Sequence, residues 1–449
     1  MIRLFYTLLM LIAGTGIQAQ HSPILEEYVQ EGLKSNLALK QENLELRKVA
    51  ENIQQAKALF YPRVTFAPTY SLAAGGRRLQ FPVGDLLNPV YSTLNKLTQT
   101  SVFPQIENVD ELLAPNNFHD TKISVQYSIY NPEIQYNYLI QKTLLTAQEA
   151  KKKVYENELR YTIEGAYFQY LQTLEAIKIF GNAQKTLNEL ARLNQKLVNN
   201  NVMTKDAVVA AEYEISKLNQ QLAIAVKNRE TAKAYFNFLL NRELSEGISV
   251  DSTNLKPLAV YEPLERLSES ALQNRQELRQ LDQSILASKT AVTLQEKAAK
   301  RPSVFIGGNA GFQGFGYTFN QQAYGIAQIG LTWDLFKGYE RKSKIQGAKI
   351  QTELLQTKKL EVEKQIELQV TQAFLDLQAT RENLKLTQEG LNKAEQYFRI
   401  VDSRYRNNNV LFIEWVRAQN EILTAQLQQS LAQFDVLVKE SLLHKVTAH

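Results

Sequence analysis

From Ile366 to Tyr405, apolar or small residues recur at alternating steps of four and three. Ile366, Val370, Ala373, Leu377, Thr380, Leu384, Thr387, Leu391, Ala394, Phe398, Val401 and Tyr405 hold this spacing without a slip. That is the 3.5-residue period of a left-handed coiled coil. No proline occurs between Lys337 and Asn407, so one helix can run about 70 residues, on the order of 100 Å at roughly 1.5 Å per residue. The same steps occur about 207 residues earlier, at Leu159, Ile163, Ala166, Tyr170, Thr173, Ile177, Phe180, Gln184, Leu187, Ala191, Asn194 and Val198. Each stripe ends in an asparagine triplet, Asn199 to Asn201 and Asn407 to Asn409. The chain therefore reads as a duplication of one long helical hairpin, at 133–240 and again at 337–444.

Period-two alternation marks the strands. Ile123, Val125, Tyr127 and Ile129 alternate with Ser124, Gln126 and Ser128; Ile329, Leu331, Trp333 and Leu335 alternate with Gln328, Gly330, Thr332 and Asp334. Each half is expected to carry a strand pair, 63–71 with 121–130 and 303–315 with 324–336. At about ten residues, such strands when tilted can cross the roughly 25 Å apolar band of an outer membrane. A long irregular loop with short helical pieces, 73–120, joins the first pair. Helical patterns at Pro23 to Phe60 and Leu264 to Lys300 precede the strands and match the length of rod that the shorter return helices leave bare. The first repeat then spans 20–241, a linker 242–263, and the second repeat 264–449.

Composition narrows the class. After residue 13 no apolar run is long enough for a transmembrane helix. Met1-Ile2-Arg3, an apolar stretch and a small residue at Ala19 read as a secretory signal peptide, 1–19. Removing Arg3 lowers the formal charge of +5 by one, a balance that argues against nucleic acid as a partner. There is no cysteine, which excludes disulfides, thiol nucleophiles and cysteine metal sites. The four histidines show no paired metal-ligand spacing, and Gly311 to Gly316 lacks the lysine of a phosphate-binding loop. No enzyme, cofactor or metal is expected.

Four strands cannot close a barrel, and an open edge cannot sit in lipid with its amides unpaired. Eight strands leave an interior already filled by side chains, so the smallest cyclic assembly with a pore is three chains and twelve strands. A periplasmic coiled-coil scaffold or adaptor without a pore is the competing reading, although it has no need of paired membrane-length strands.

The ends of the two rods carry a motif. Tyr405 to Ala418 reads Tyr-x-x-Asn with Glu414 six residues after Asn408 and Ala418 four further on; Leu197 to Ala210 repeats it with Asn200 and Asp206. With asparagine in place of a family glycine, this resembles the tips of the TolC-like outer-membrane efflux proteins, and the resemblance covers nearly the whole mature chain. It implies a mainly α fold with a small β part: duplicated coiled-coil hairpins forming an α-barrel tunnel, and four strands per chain contributing to a 12-stranded trimeric β-barrel. It further implies a homotrimeric conduit between periplasm and exterior, set in outer-membrane lipid and served by a periplasmic adaptor and an inner-membrane pump. Asp206 and Glu414 fall at the expected pore constriction. Arg417 stands where the family has a second acid, and with Glu414 it is expected to latch the tip. Asn199, Asn200, Asn201, Val202, Met203 and Thr204, with Asn407, Asn408, Asn409, Val410, Leu411 and Phe412, form the expected adaptor-docking tips.

Overall fold

Every heptad position from Ile366 to Tyr405 is buried or half-buried, while most residues between them are exposed. In the computed structural model, which describes residues 22–114, 116–250, 262–320 and 322–448, this stripe lies on one uninterrupted helix. The expected signal peptide and residues 251–261 of the expected linker lie outside the described residues. In chain order the elements are α1 (Pro23–Ser35), α2 (Leu37–Ala58), β1 (Arg63–Ser71), β2 (Arg78–Phe81), α3 (Val83–Thr98), β3 (Val109–Leu112), β4 (Phe118–Tyr130), α4 (Pro132–Asn199) and α5 (Asp206–Leu239). Then follow α6 (Leu264–Asn274), α7 (Gln276–Lys300), β5 (Ser303–Phe315), β6 (Ala323–Thr332), α8 (Glu340–Arg406) and α9 (Phe412–Thr447). They divide into two compact units: the described residues of 1–49, 145–285 and 354–449, and those of 50–144 and 286–353.

In the first unit, each repeat packs a short helix against its rod. Leu25, Tyr28 and Val29 of α1 bury against Ile163 and Tyr167 of α4 and Phe236 of α5. Leu267 and Ala271 of α6 bury with Ile366 and Val370 of α8 and Leu443 of α9. The helical patterns at 23–60 and 264–300 are each broken once, at Asn36 and Arg275, where ψ is 127° and 126°. Asn36 makes the break self-consistent: its Oδ1 accepts the Ala38 and Leu39 amides at 3.0 and 3.1 Å, while its Nδ2 donates to the Leu239 carbonyl at 2.8 Å. It thereby caps the next helix. Arg275 reaches instead to the Val446 carbonyl and the Gln369 side chain, both at 3.2 Å.

In the second unit the four long strands form one antiparallel sheet in the order β1-β4-β5-β6. Its register aligns Val64 with Val125, Phe66 with Ile123, and Tyr127 with Ile306, which in turn faces Ile329. All of these apolar side chains are more than a third exposed. β4 starts at Phe118, and β6 ends at Thr332 because β5 offers no residue beyond Ser303 to pair with it. The turn at Gly338, whose φ is +59°, sets the start of α8 at Glu340. At Gly311 the neighbouring strand comes so near that a Cβ would sit 2.1 Å from the Thr121 carbonyl oxygen. Among the described residues of 72–117, β2 and β3 are paired and α3 lies between them in the chain.

Candidate functional site

The tips of both hairpins turn at an asparagine held in the left-handed region, Asn201 at φ +58° and Asn408 at φ +59°. In the first, the Val202 amide donates to Leu197 O at 2.9 Å and the Asn201 amide to Val198 O at 3.0 Å. In the second, Asn409 donates to Arg404 O at 2.8 Å and Asn408 to Tyr405 O at 2.9 Å. These paired bonds satisfy the last carbonyls of each rod as a Schellman turn. After glycine, asparagine visits this conformation most readily.

The turns correct the alignment of the tips. Asn201, not Asn200, is the partner of Asn408, and it keeps the 207-residue spacing of the rods. Counted from the left-handed residue, Asp206 is the fifth residue on and Glu414 the sixth, so the two acids occupy successive rather than equivalent positions. Both are exposed and sit in the first turn of α5 and α9, where the helix dipole favours negative charge. The Asp206 carboxylate accepts the Thr204 hydroxyl. Arg417, with 76% of its side chain exposed, donates from Nε to Glu421 Oε1 at 3.1 Å, so its carboxylate partner within the chain is Glu421. Among the residues expected to form the docking tips, Met203, Val410 and Phe412 are half-buried and the others exposed, Val202 and Leu411 prominently so.

Behind these surfaces lies a buried cluster whose cross-links the sequence does not announce. Trp415 is fully enclosed, its ring centroid 5.6 Å from Phe398 and 6.3 Å from Tyr405. Its Nε1 donates to Asp402 Oδ1 at 2.8 Å, and the other carboxylate oxygen accepts Arg406 Nε at 2.8 Å. The Tyr405 hydroxyl donates to Asn194 Oδ1 at 2.9 Å. Tyr405 and Asn194 both occupy heptad positions, and a polar residue at such a position is the one available signal that the seams are keyed there. Among the described residues, no group of three potential ligands could hold a metal ion, and no helix is long and apolar enough to cross a membrane.

Residues 267–449, which contain α8, the second tip and α9, match the family model for outer membrane efflux proteins. This part of the chain, less than half of it, is similar to the outer membrane efflux protein family. The fold is that of outer-membrane channels over almost the whole length. The OprN outer-membrane channel superposes with a TM-score of 0.74 at 16% identity, covering 95% of this chain and 90% of that one. The CmeC outer membrane channel of Campylobacter jejuni gives 0.75 at 14% identity, with 95% and 85% covered. The outer membrane protein VceC of Vibrio cholerae gives 0.71 at 15% identity, with 94% and 95% covered. At such identities the likeness is one of fold. No curated protein matches in sequence. Within the matched residues the seam positions Ile366, Val370, Ala373 and Leu377 are all buried in the single chain. Leu354, Leu368, Leu375, Leu386 and Ile400, on another face of α8, are each more than half exposed.

Proposed function

We propose that three copies of this chain form an outer-membrane channel that exports small molecules or proteins from the periplasm to the exterior. One observation carries the reading. β1 and β6, the outer strands of the sheet, have no further strand beside them among the described residues, and the sheet's aligned apolar rows stand exposed. In lipid those rows are an advantage and the free edges are prohibitive; adding the same sheet from two more copies removes the edges and completes a twelve-stranded barrel. The exposed second stripe of α8 supports the same assembly, because a helix with two apolar stripes needs a neighbour on each. The chain is then the outer-membrane part of a tripartite efflux or type I secretion system, exported by a cleaved signal peptide and partnered by a periplasmic adaptor and an inner-membrane pump. The work is transport, without catalysis or a cofactor. Asp206, Glu414 and Arg417 narrow the pore at the tips, and the turns 199–204 and 407–412 meet the adaptor. Fractionation with planar-bilayer recording tests the assembly: heat-modifiable trimers in the outer membrane with stepwise conductance are expected. A soluble periplasmic monomer that never conducts would replace the channel with a coiled-coil scaffold.

A further inference from the structure

Helix α3 is amphipathic in the inverse sense. On its inner face Asn88 clamps one peptide of the adjoining strap, its Nδ2 donating to Ile106 O at 2.8 Å and its Oδ1 accepting the Ile106 amide at 2.9 Å. One heptad later Asn95 does the same to Phe103, at 2.8 and 3.1 Å. Tyr91 packs its ring 5.7 Å from Phe103 on that face. By the 3.6-residue period, Leu86, Val90, Thr93 and Leu97 lie on the opposite side, again at steps of four, three and four. Leu86, Val90 and Leu97 are 64%, 51% and 76% exposed. Polar groups thus hold the helix to its own segment, and a coiled-coil seam faces away from it.

We infer that this seam packs against the α3 seams of the neighbouring copies, making a short bundle of three parallel helices over the mouth of the barrel. The inference rests on the trimeric channel proposed above. The occupant is argued from position and charge. Segment 72–117 leaves β1 directly after Ser71, and β1 is a free edge at which another copy must join. Its base is fastened to that strand end by Tyr70 to Asn117 and by the Ala73 amide to Asn116 Oδ1. Each copy's α3 is therefore rooted beside the junction with the next. From 86 to 98 the sole charged residue is Lys96, whereas helices that lie on a bilayer carry a cationic polar face. A helix this short is marginal as a free coiled coil, but three held in one ring meet at a high effective concentration.

The chain has no cysteine, so Val90→Cys and Leu97→Cys each introduce the sole thiol. In outer-membrane trimers, mild oxidation is expected to convert both variants largely to disulfide-linked dimers. Glu107→Cys, on the exposed strap behind the clamped face, is expected to stay uncrosslinked. Intact trimers in which both seam thiols remain single and react with a hydrophilic maleimide as fast as Glu107→Cys would overturn the bundle and leave the channel standing. Seam thiols that escape cross-linking yet shift an attached bimane to the blue in lipid vesicles would also overturn it, assigning the stripe to the bilayer. Loss of the trimer in wild type as well would defeat the channel reading itself.

Discussion

The hydroxyl of Tyr405 on α8 donates to the side-chain oxygen of Asn194 on α4 at 2.9 Å, joining the two hairpins just above their tips. Asn194 is fully buried, Tyr405 is 1% exposed, and the asparagine's Nδ2 is taken by Ala207 O at 3.1 Å. The amide thus has a fixed orientation that presents its oxygen to the phenol. Tyr405→Phe leaves that oxygen without its phenolic donor, and a loss of about 1–3 kcal/mol is expected. Urea unfolding of Tyr405→Phe, Asn194→Ala and the double variant checks this. Strictly additive losses would dissolve the link, since a shared bond makes the second removal cheaper.

Burial pushes the Tyr405 phenol above its ordinary pKa, only partly opposed by the bond to Asn194. A folded-state value above the unfolded one contributes stability that is complete below the ordinary tyrosine range and is lost as pH rises through the folded value. Alkaline destabilisation is therefore expected to be shallower in Tyr405→Phe than in wild type. Identical melting-temperature profiles above neutral pH would remove Tyr405 from the alkaline transition.

The left-handed turns make opposite forecasts for adjacent asparagines. At Asn201 and Asn408, substitution by valine places a β-branched side chain at positive φ and is expected to cost about 1–2 kcal/mol. Asn201→Gly and Asn408→Gly should be tolerated. Asn200→Val, outside the left-handed region, should be nearly silent; equal losses at 200 and 201 in thermal melts would contradict the register of the first tip.

Close strand approach at Gly311 sets a further contrast. Gly311→Val must displace the Thr121 backbone, whereas Gly325 has nothing within 4 Å of its missing Cβ. If the chain forms the proposed trimer, Gly311→Val is expected to lower the yield of heat-resistant trimers several-fold, with Gly325→Ala close to wild type. Electrophoresis of unheated membranes reads both.

If Glu414 and Arg417 latch the tip of the proposed channel, Glu414→Ala and Arg417→Ala should each raise single-channel conductance. Within one chain Arg417 already pairs with Glu421, so Glu421→Ala, which frees the guanidinium, should tighten the latch and lower conductance. Unchanged conductance in all three would take these residues out of gating.

What can be read from the sequence is whatever one element's own period encodes. The stripe at 366–405 requires a long helix with a buried seam, because heptad spacing brings those side chains to one side whatever the partner. The alternation at 121–130 requires a two-faced strand for the same local reason. Even the duplication is visible as a repeated period.

Tertiary structure decided what depends on residues meeting across the chain. The breaks at Asn36 and Arg275 carry no glycine or proline; at Asn36 the break is stabilised by Leu239, more than 200 positions away. The Tyr405 bond spans 211 positions, so neither heptad stripe alone discloses it. α3 inverts the usual reading: its apolar stripe suggests an inward face, yet Asn88 and Asn95 turn that stripe outward by binding the backbone at Ile106 and Phe103. Periodicity tells which residues share a side of an element. Only the packed chain tells which side has already been covered.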